Sequence, residues 1–355
     1  MAKKSSYIDL LTIVSSFAVI MLHCNQVFWT HPTGSLWASS LTIEVLFYFA
    51  VPVFFMVSGA TLMDYRERYS TMEFFRKRFW RTVFPFFFWS FIYFLIFASH
   101  DYSGKSLSGI ARTVISSVIN YKQMNWFWFF YPLFALYLSI PLFSNVKDKI
   151  KTFTYVIIYA FISYSLLPFI LNFFDLKWRI TALYAPVAAG YVIYLLGGYV
   201  LSRISLPRKY RIILYAAGTA GVLLHIFGTD HYSPPGMPIS TIFKGYLNFP
   251  TVLQSAAIFV FFKETDWEKL PLFCHRLINF IKPHTLGIYL LHGAIIKTIM
   301  RDYPALTRSI YYRTFGAIVI FFICLTITML ISKIPYLRMV VGTGIKSIHT
   351  KELSK

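Results

Sequence analysis

Charge is scarce in this sequence. Only 14% of its 355 residues are Asp, Glu, Lys or Arg, against about 25% in an ordinary globular domain. Acidic residues are the scarcer half, 14 against 34 basic ones, for a formal net charge of +20. Cysteine is nearly missing too. Cys24, Cys274 and Cys324 form no CxxC or other paired spacing. That argues against a disulfide scaffold and a thiolate metal site, and no metal is expected. Walker and GxGxxG patterns are absent, as are a visible internal repeat and a low-complexity tail. No loop is long enough to fold as a domain of its own. The longest, about 99–125 and 229–242, include Ser233-Pro234-Pro235-Gly236-Met237-Pro238, which reads as irregular chain. Residues 1–355 therefore read as one domain whose chemistry must use residues in or at the ends of apolar segments.

What remains is apolar and aromatic. Hydrophobic residues make up 57% and aromatic ones 20%, with 37 Phe and 25 Tyr. A net charge of +20 alone would suit a nucleic-acid partner, but such binding needs a solvated basic face. Here the basic residues lie in short clusters between long apolar runs, so no nucleic-acid partner is expected.

A helix needs about 20 mostly apolar residues to cross a bilayer. Ten windows qualify, at about 8–28, 37–62, 79–98, 126–143, 152–171, 181–201, 211–228, 243–262, 284–300 and 314–334. The fold class is thus an all-α polytopic membrane protein with about ten transmembrane helices. The eighth window is interrupted by Pro250. The first follows Lys3 and Lys4 like a signal peptide. It is too long for one, lacks a small-x-small cleavage site, and carries Asp9, His23 and Asn25.

Ten spans place both termini on one side, and the positive-inside rule selects which. With the N-terminus inside, 24 of the 34 basic residues fall on inner segments. The expectation is a multi-pass membrane protein with both termini cytoplasmic. The loop after the ninth span is the exception, with Lys297, Arg301, Arg308 and Arg313 outside. A basic pocket for an anionic substrate or a misplaced boundary would account for it.

Ionisable side chains inside spans are costly and mark candidate functional sites. His23 lies six residues before Trp29, roughly 9 Å below the outer boundary at 1.5 Å per residue. Its imidazole can take a proton from a hydroxyl near neutral pH. Glu44 lies seven residues past Trp37, at a matching depth of about 10 Å, where a carboxylate can orient an imidazole. A carboxylate in a wet vestibule is the plain alternative. His292 lies near the middle of the ninth span, with Tyr289 one turn away; a structural hydrogen bond between helices is the competing role for either histidine. Arg76-Lys77-Arg78-Phe79-Trp80-Arg81 sits at the inner boundary. Arg78 and Arg81 are three apart and share a helix face, a pair of guanidinium forks suited to a diphosphate. The plain reading of that cluster is a positive-inside anchor.

Arginines inside, His292 midway and His23 with Glu44 in the outer third form a polar axis. Group transfer across the membrane would use it, and so would a transporter of a glycan, lipid or anion.

At these residues the sequence resembles the acyltransferase-3 family of bacterial integral-membrane acyltransferases. The resemblance is carried by Tyr7-Ile-Asp9 leading to His23, Pro52-Val-Phe-Phe-Met-Val-Ser58-Gly59, and Phe75-Arg-Lys-Arg78-Phe-Trp-Arg81 before Pro85. Further on it is carried by Trp126-Phe-Trp128-Phe-Phe-Tyr131, His284-Thr-Leu-Gly287-Ile-Tyr289-Leu-Leu-His292, and Pro335-Tyr-Leu-Arg338. It is most similar to the stand-alone branch that O-acetylates surface polysaccharides. The resemblance implies ten helices that move an acyl group, usually acetyl from cytoplasmic acetyl-CoA, to a hydroxyl of a surface glycan or lipid-linked sugar. It matches His23 to the family's first-span histidine, the expected general base; Glu44, placed at the same depth by the count above, is expected to hold its tautomer. Arg78 and Arg81, with Lys77 beside them, become the contacts to acyl-CoA. His292, Tyr289, Tyr131 and Trp128 are the substrate or oxyanion candidates. Three positions depart from the family pattern: Thr12 replaces an arginine eleven residues before the histidine, Pro52 an acidic residue, and Trp126 a histidine.

Overall fold

In hydrocarbon, backbone N–H and C=O groups find partners only within the segment itself, so long apolar runs fold as helices. The computed structural model describes residues 2–98, 106–122, 124–176 and 184–343, and only the backbone of residues 2–5. Lys3 and Lys4 as side chains, the C-terminal residues from 344 and the start of the sixth expected span (181–183) lie outside the described part. Among the described residues there is no strand.

Fifteen α-helices follow in order among the described residues: α1 (Ala2–Cys24), α2 (Gly34–Phe47), α3 (Ala50–Leu62), α4 (Thr71–Arg78), α5 (Phe84–Phe97), α6 (Leu107–Ile119), α7 (Phe130–Phe143) and α8 (Lys149–Ala160). Then come α9 (Leu167–Phe173), α10 (Val192–Arg203), α11 (Arg208–His231), α12 (Phe249–Glu264), α13 (Leu272–Ile281), α14 (Thr285–Asp302) and α15 (Ala317–Lys333). Single π-helical turns, Phe79–Val83 and Phe161–Leu166, join α4 to α5 and α8 to α9; Tyr312–Gly316 leads into α15.

Seven of the resulting rods are long and apolar enough to cross a membrane: Ser6–Thr30, Gly34–Glu67, Thr71–Phe97, Asn125–Phe143, Lys149–Phe173, Arg208–His231 and Tyr312–Lys333. They match seven of the ten windows read from hydropathy, and the chain is a polytopic all-α membrane protein. The other three windows contain shorter helices. α10 has 12 residues, α12 has 16 and α14 has 18, or about 18, 24 and 27 Å of rise. The eighth window differs for a clear reason. Pro250 stands in the first turn of α12, where its missing N–H costs nothing. It starts the helix rather than interrupting it, and residues 243–248 enter as non-helical chain.

α1 is the central helix, packing on α2, α3, α12, α14 and α15; α3 packs on α10, and α11 on α12. The outward faces carry apolar side chains such as Phe227, Val319, Phe322 and Leu330, as lipid contact requires. Bilayer proteins gain little from hiding apolar surface between helices, so close approach through small residues matters more. The α3–α10 crossing shows this. A Cβ on Gly59 would run into the backbone carbonyl of Leu195, and one on Gly198 into that of Met56. Neither obstacle is a flexible side chain. Gly198→Ala is therefore expected to lower stability by about 1–3 kcal/mol, as overpacking does. Gly197→Ala, whose Cβ meets nothing within 4 Å, should be neutral or slightly stabilising. Thermal unfolding of the two variants in detergent checks the contrast.

Candidate active site

The site is built where α1 and α14 meet. An ion pair, Lys282 Nζ to Asp9 Oδ2 at 2.7 Å, joins the beginnings of the two helices. From there α1 runs 14 residues to His23, and α14 runs 10 to His292. The two imidazoles then meet: His23 Nδ1 lies 2.7 Å from His292 Nε2, with the rings stacked at 4.9 Å. The separate depths expected for the two histidines are thus corrected. The Asp9–Lys282 pair sets the register, and His292 stands level with His23. His292 is 1% exposed, while His23 is half-buried.

Trp126 lies flat on His23, with centroids 4.3 Å apart. Its seat depends on Gly293, where a Cβ would come within 2.6 Å of Met124 Sδ and 3.1 Å of Trp126 Cε3. Trp126 is the position at which the family resemblance expected histidine. Tyr289, one turn before His292, donates its hydroxyl to the Trp126 carbonyl at 2.8 Å. Its ring lies 5.4 Å from that of His292 and packs on Phe129 and Phe130 at 5.6 and 5.5 Å.

Beneath Tyr289 is a cavity of about 770 Å³, within the size range of small-molecule sites. Asp9, Thr12 and Ser16 of α1 line one wall, with Ser58 and Thr61 of α3. Phe54, Val57, Phe129, Phe130 and Leu133 supply apolar surface. It is also lined by four cations, Arg68, Arg78, Arg81 and Lys282, the last paired with Asp9. Arg78 and Arg81 both line it even though a π-helical turn follows Arg78, a deviation that recurs at functional sites. Neither forms an ion pair among the described residues, and Arg78 Nε is buried without a hydrogen-bond partner. A two-guanidinium wall with unused donors is fitted for a polyanion such as a diphosphate.

Other expected site residues lie elsewhere. Lys77 pairs with Glu73 at 3.5 Å and sits 3.9 Å over the Tyr69 ring; it does not line the cavity. Tyr131 packs beside Phe86 and Tyr121, and Trp128 against Tyr191 and Tyr246. Their contacts are to these rings rather than to the histidines. Glu44 is not the partner of His23. Its Oε1 is 2.7 Å from Lys244 Nζ, both residues nearly fully buried. The reason is topological: the non-helical stretch before α12 turns Lys244 inward, and a buried ammonium outcompetes a neutral imidazole for a carboxylate.

One of the four outer basic residues finds an explanation in the same way. Arg313 is 1% exposed and bridges Asn25 Oδ1 at 3.2 Å and Ser39 Oγ at 2.8 Å. It is not a surface charge, so counting it with the loop overstated the outer side. The residues missed in the sequence were Trp126, Arg68 and Lys282. Lys282 carried a signal in retrospect: a lysine directly before Pro283 at the entry to a span, facing Asp9 of the first.

Comparisons with curated proteins and with solved structures gave no match. The family model described as an acyltransferase domain matches residues 5–334, nearly the whole chain and every residue of the site above. With that match, the chain belongs to the acyltransferase-3 family of membrane acyltransferases.

Proposed function

We propose that this protein is a membrane O-acyltransferase. It takes an acyl group, acetyl by preference, from cytoplasmic acyl-CoA and delivers it to a hydroxyl of a cell-surface polysaccharide or lipid-linked sugar. The observation that carries the reading is the order of groups along one axis: an arginine-lined cavity, a tyrosine roof, then two histidines in contact. In this reading the arginine end faces the cytoplasm of a bacterial cell, in agreement with the 24 of 34 basic residues assigned to that side. The protein is then a polysaccharide-modifying member of its family.

Arg78 and Arg81 hold the phosphates of the donor, and the apolar wall receives its pantetheine arm. Thr12 stands on the cavity wall in place of an arginine; Lys282, anchored by Asp9, brings a cation to the same wall. His23 is the general base. Its Nδ1 is engaged with His292, so Nε2 is the nitrogen free to react. For Nε2 to accept a proton, Nδ1 must carry one and donate it to His292 Nε2. His292 thus selects the productive tautomer, the role that the sequence had offered to Glu44. The acceptor hydroxyl gives its proton to His23 Nε2 as its oxygen bonds to the thioester carbon. The carbon–sulfur bond then breaks, and the CoA thiolate leaves and is protonated from the imidazolium.

The donor site is tested by binding. CoA at a hundredfold excess over its Kd should stabilise the purified protein by about 2.7 kcal/mol, read as a rise in Tm. The Arg78→Ala/Arg81→Ala protein should lose that rise while keeping its own Tm. A wild-type protein indifferent to CoA, yet moving glycan across vesicles, would instead establish a transporter.

A further inference from the structure

We propose that Tyr289 is a gate between the donor cavity and the histidine pair, and that it restricts transfer to short acyl groups; this rests on the donor reading above. The cavity reaches Ser16 on α1 and Tyr289 on α14, and neither histidine lines it. His23 lies seven residues beyond Ser16, roughly 10 Å of helix rise. A thioester carbon in the cavity must therefore pass Tyr289 to come within reach of His23.

The closed position is well defined. The Tyr289 hydroxyl is tied to the Trp126 carbonyl at 2.8 Å. Its ring is held by Phe54, Phe129 and Phe130, with centroids 5.5–6.4 Å away. On the far side, His292 and Trp126 fill the space against His23 in ring contact. An acyl chain entering there meets the rings of Phe54, Phe129, Phe130 and His292, in a packing that tolerates few extra methylenes. Opening needs only one hydrogen bond to be released and one ring to rotate. The bond ends on the backbone carbonyl of Trp126, so it can be released while the indole stays stacked on His23. The gate thus separates the donor cavity from the imidazole, and keeps water in the cavity from reaching the thioester carbon beside His23.

The test compares acetyl-, butyryl- and hexanoyl-CoA as donors in membranes containing wild type, Tyr289→Phe or Tyr289→Ala. Wild type should prefer acetyl. Tyr289→Ala should raise the hexanoyl-to-acetyl rate ratio roughly ten- to two-hundred-fold, the discrimination a hydrophobic pocket loses with its wall. It should also release free acid from acetyl-CoA by hydrolysis. Tyr289→Phe keeps the ring but not the tie, so it should retain length selection while gaining hydrolysis, and it serves if the alanine protein does not accumulate. An active wild type with an unchanged chain-length ratio in Tyr289→Ala, or no hydrolysis in Tyr289→Phe, overturns the gate. A wild type that transfers from none of the donors overturns the donor reading, and the gate with it.

Discussion

His23→Ala should lose acyl transfer from labelled acetyl-CoA by roughly 10²–10⁴-fold, the range a positioned general base supplies. The residual rate would come from the donor and acceptor being held together. The cause is local. His23 is the half-buried member of the pair, and its free Nε2 is the nitrogen able to meet a hydroxyl. His292 is 1% exposed and spends Nε2 on His23, so it acts through its partner. His292→Gln retains a hydrogen-bonding group and should keep part of the activity, whereas His292→Ala frees the tautomer and should lose more. Both should lower kcat with little change in KM for acetyl-CoA, because the cavity does not include His292. Full transfer by His23→Ala, in membranes holding a normal amount of the protein, would remove His23 from the mechanism.

The second large effect falls on stability. Glu44→Gln is expected to cost about 3–5 kcal/mol, the penalty for stranding one charge of a buried pair. Glu44 and Lys244 are 3% and 5% exposed, with 2.7 Å between Oε1 and Nζ. Lys244 also lies 3.8 Å from the Tyr48 ring centroid, 4.9 Å from Trp29 and 5.1 Å from Phe28. Each such contact is worth about 0.5–2 kcal/mol, and all three exist with or without the carboxylate. They soften the loss without replacing an ionic partner. The double variant Glu44→Leu/Lys244→Met replaces both charges with apolar side chains and should recover most of the stability, since apolar replacement of a whole buried pair is often neutral. Thermal unfolding in detergent distinguishes the cases. If Glu44 instead served His23, Glu44→Gln would leave Tm unchanged and lower kcat.

The membrane class was legible because it rests on one-dimensional facts. Hydropathy over about 20 residues decides whether a segment tolerates hydrocarbon, and no distant contact alters that cost. His23, Arg78 and Arg81 were legible for a similar reason, as ionisable groups at fixed depths in or beside apolar runs, with the family resemblance reinforcing them. Helix length was less so. Pro250 was read as a break, because a single sequence does not say on which side of a proline a helix begins. The π-turn after Arg78 left no mark in the spacing either.

Pairings across the bundle were decided by tertiary structure alone. Glu44 and Lys244 are 200 residues apart, and His23 and His292 are 269 apart. Depth counted from span ends placed Glu44 with His23 and left His292 below them. Helices start at unequal levels, however, and the Asp9–Lys282 and His23–His292 contacts together fix how α1 and α14 are offset. Trp126 looked like a departure from a pattern until the fold laid it on His23. By itself the sequence determined the solvent each segment accepts and which few residues are too costly to be there by accident. Which of them touch was decided by helix register and by an inward-turned stretch of chain, because a buried charge takes the partner that packing brings within 3 Å.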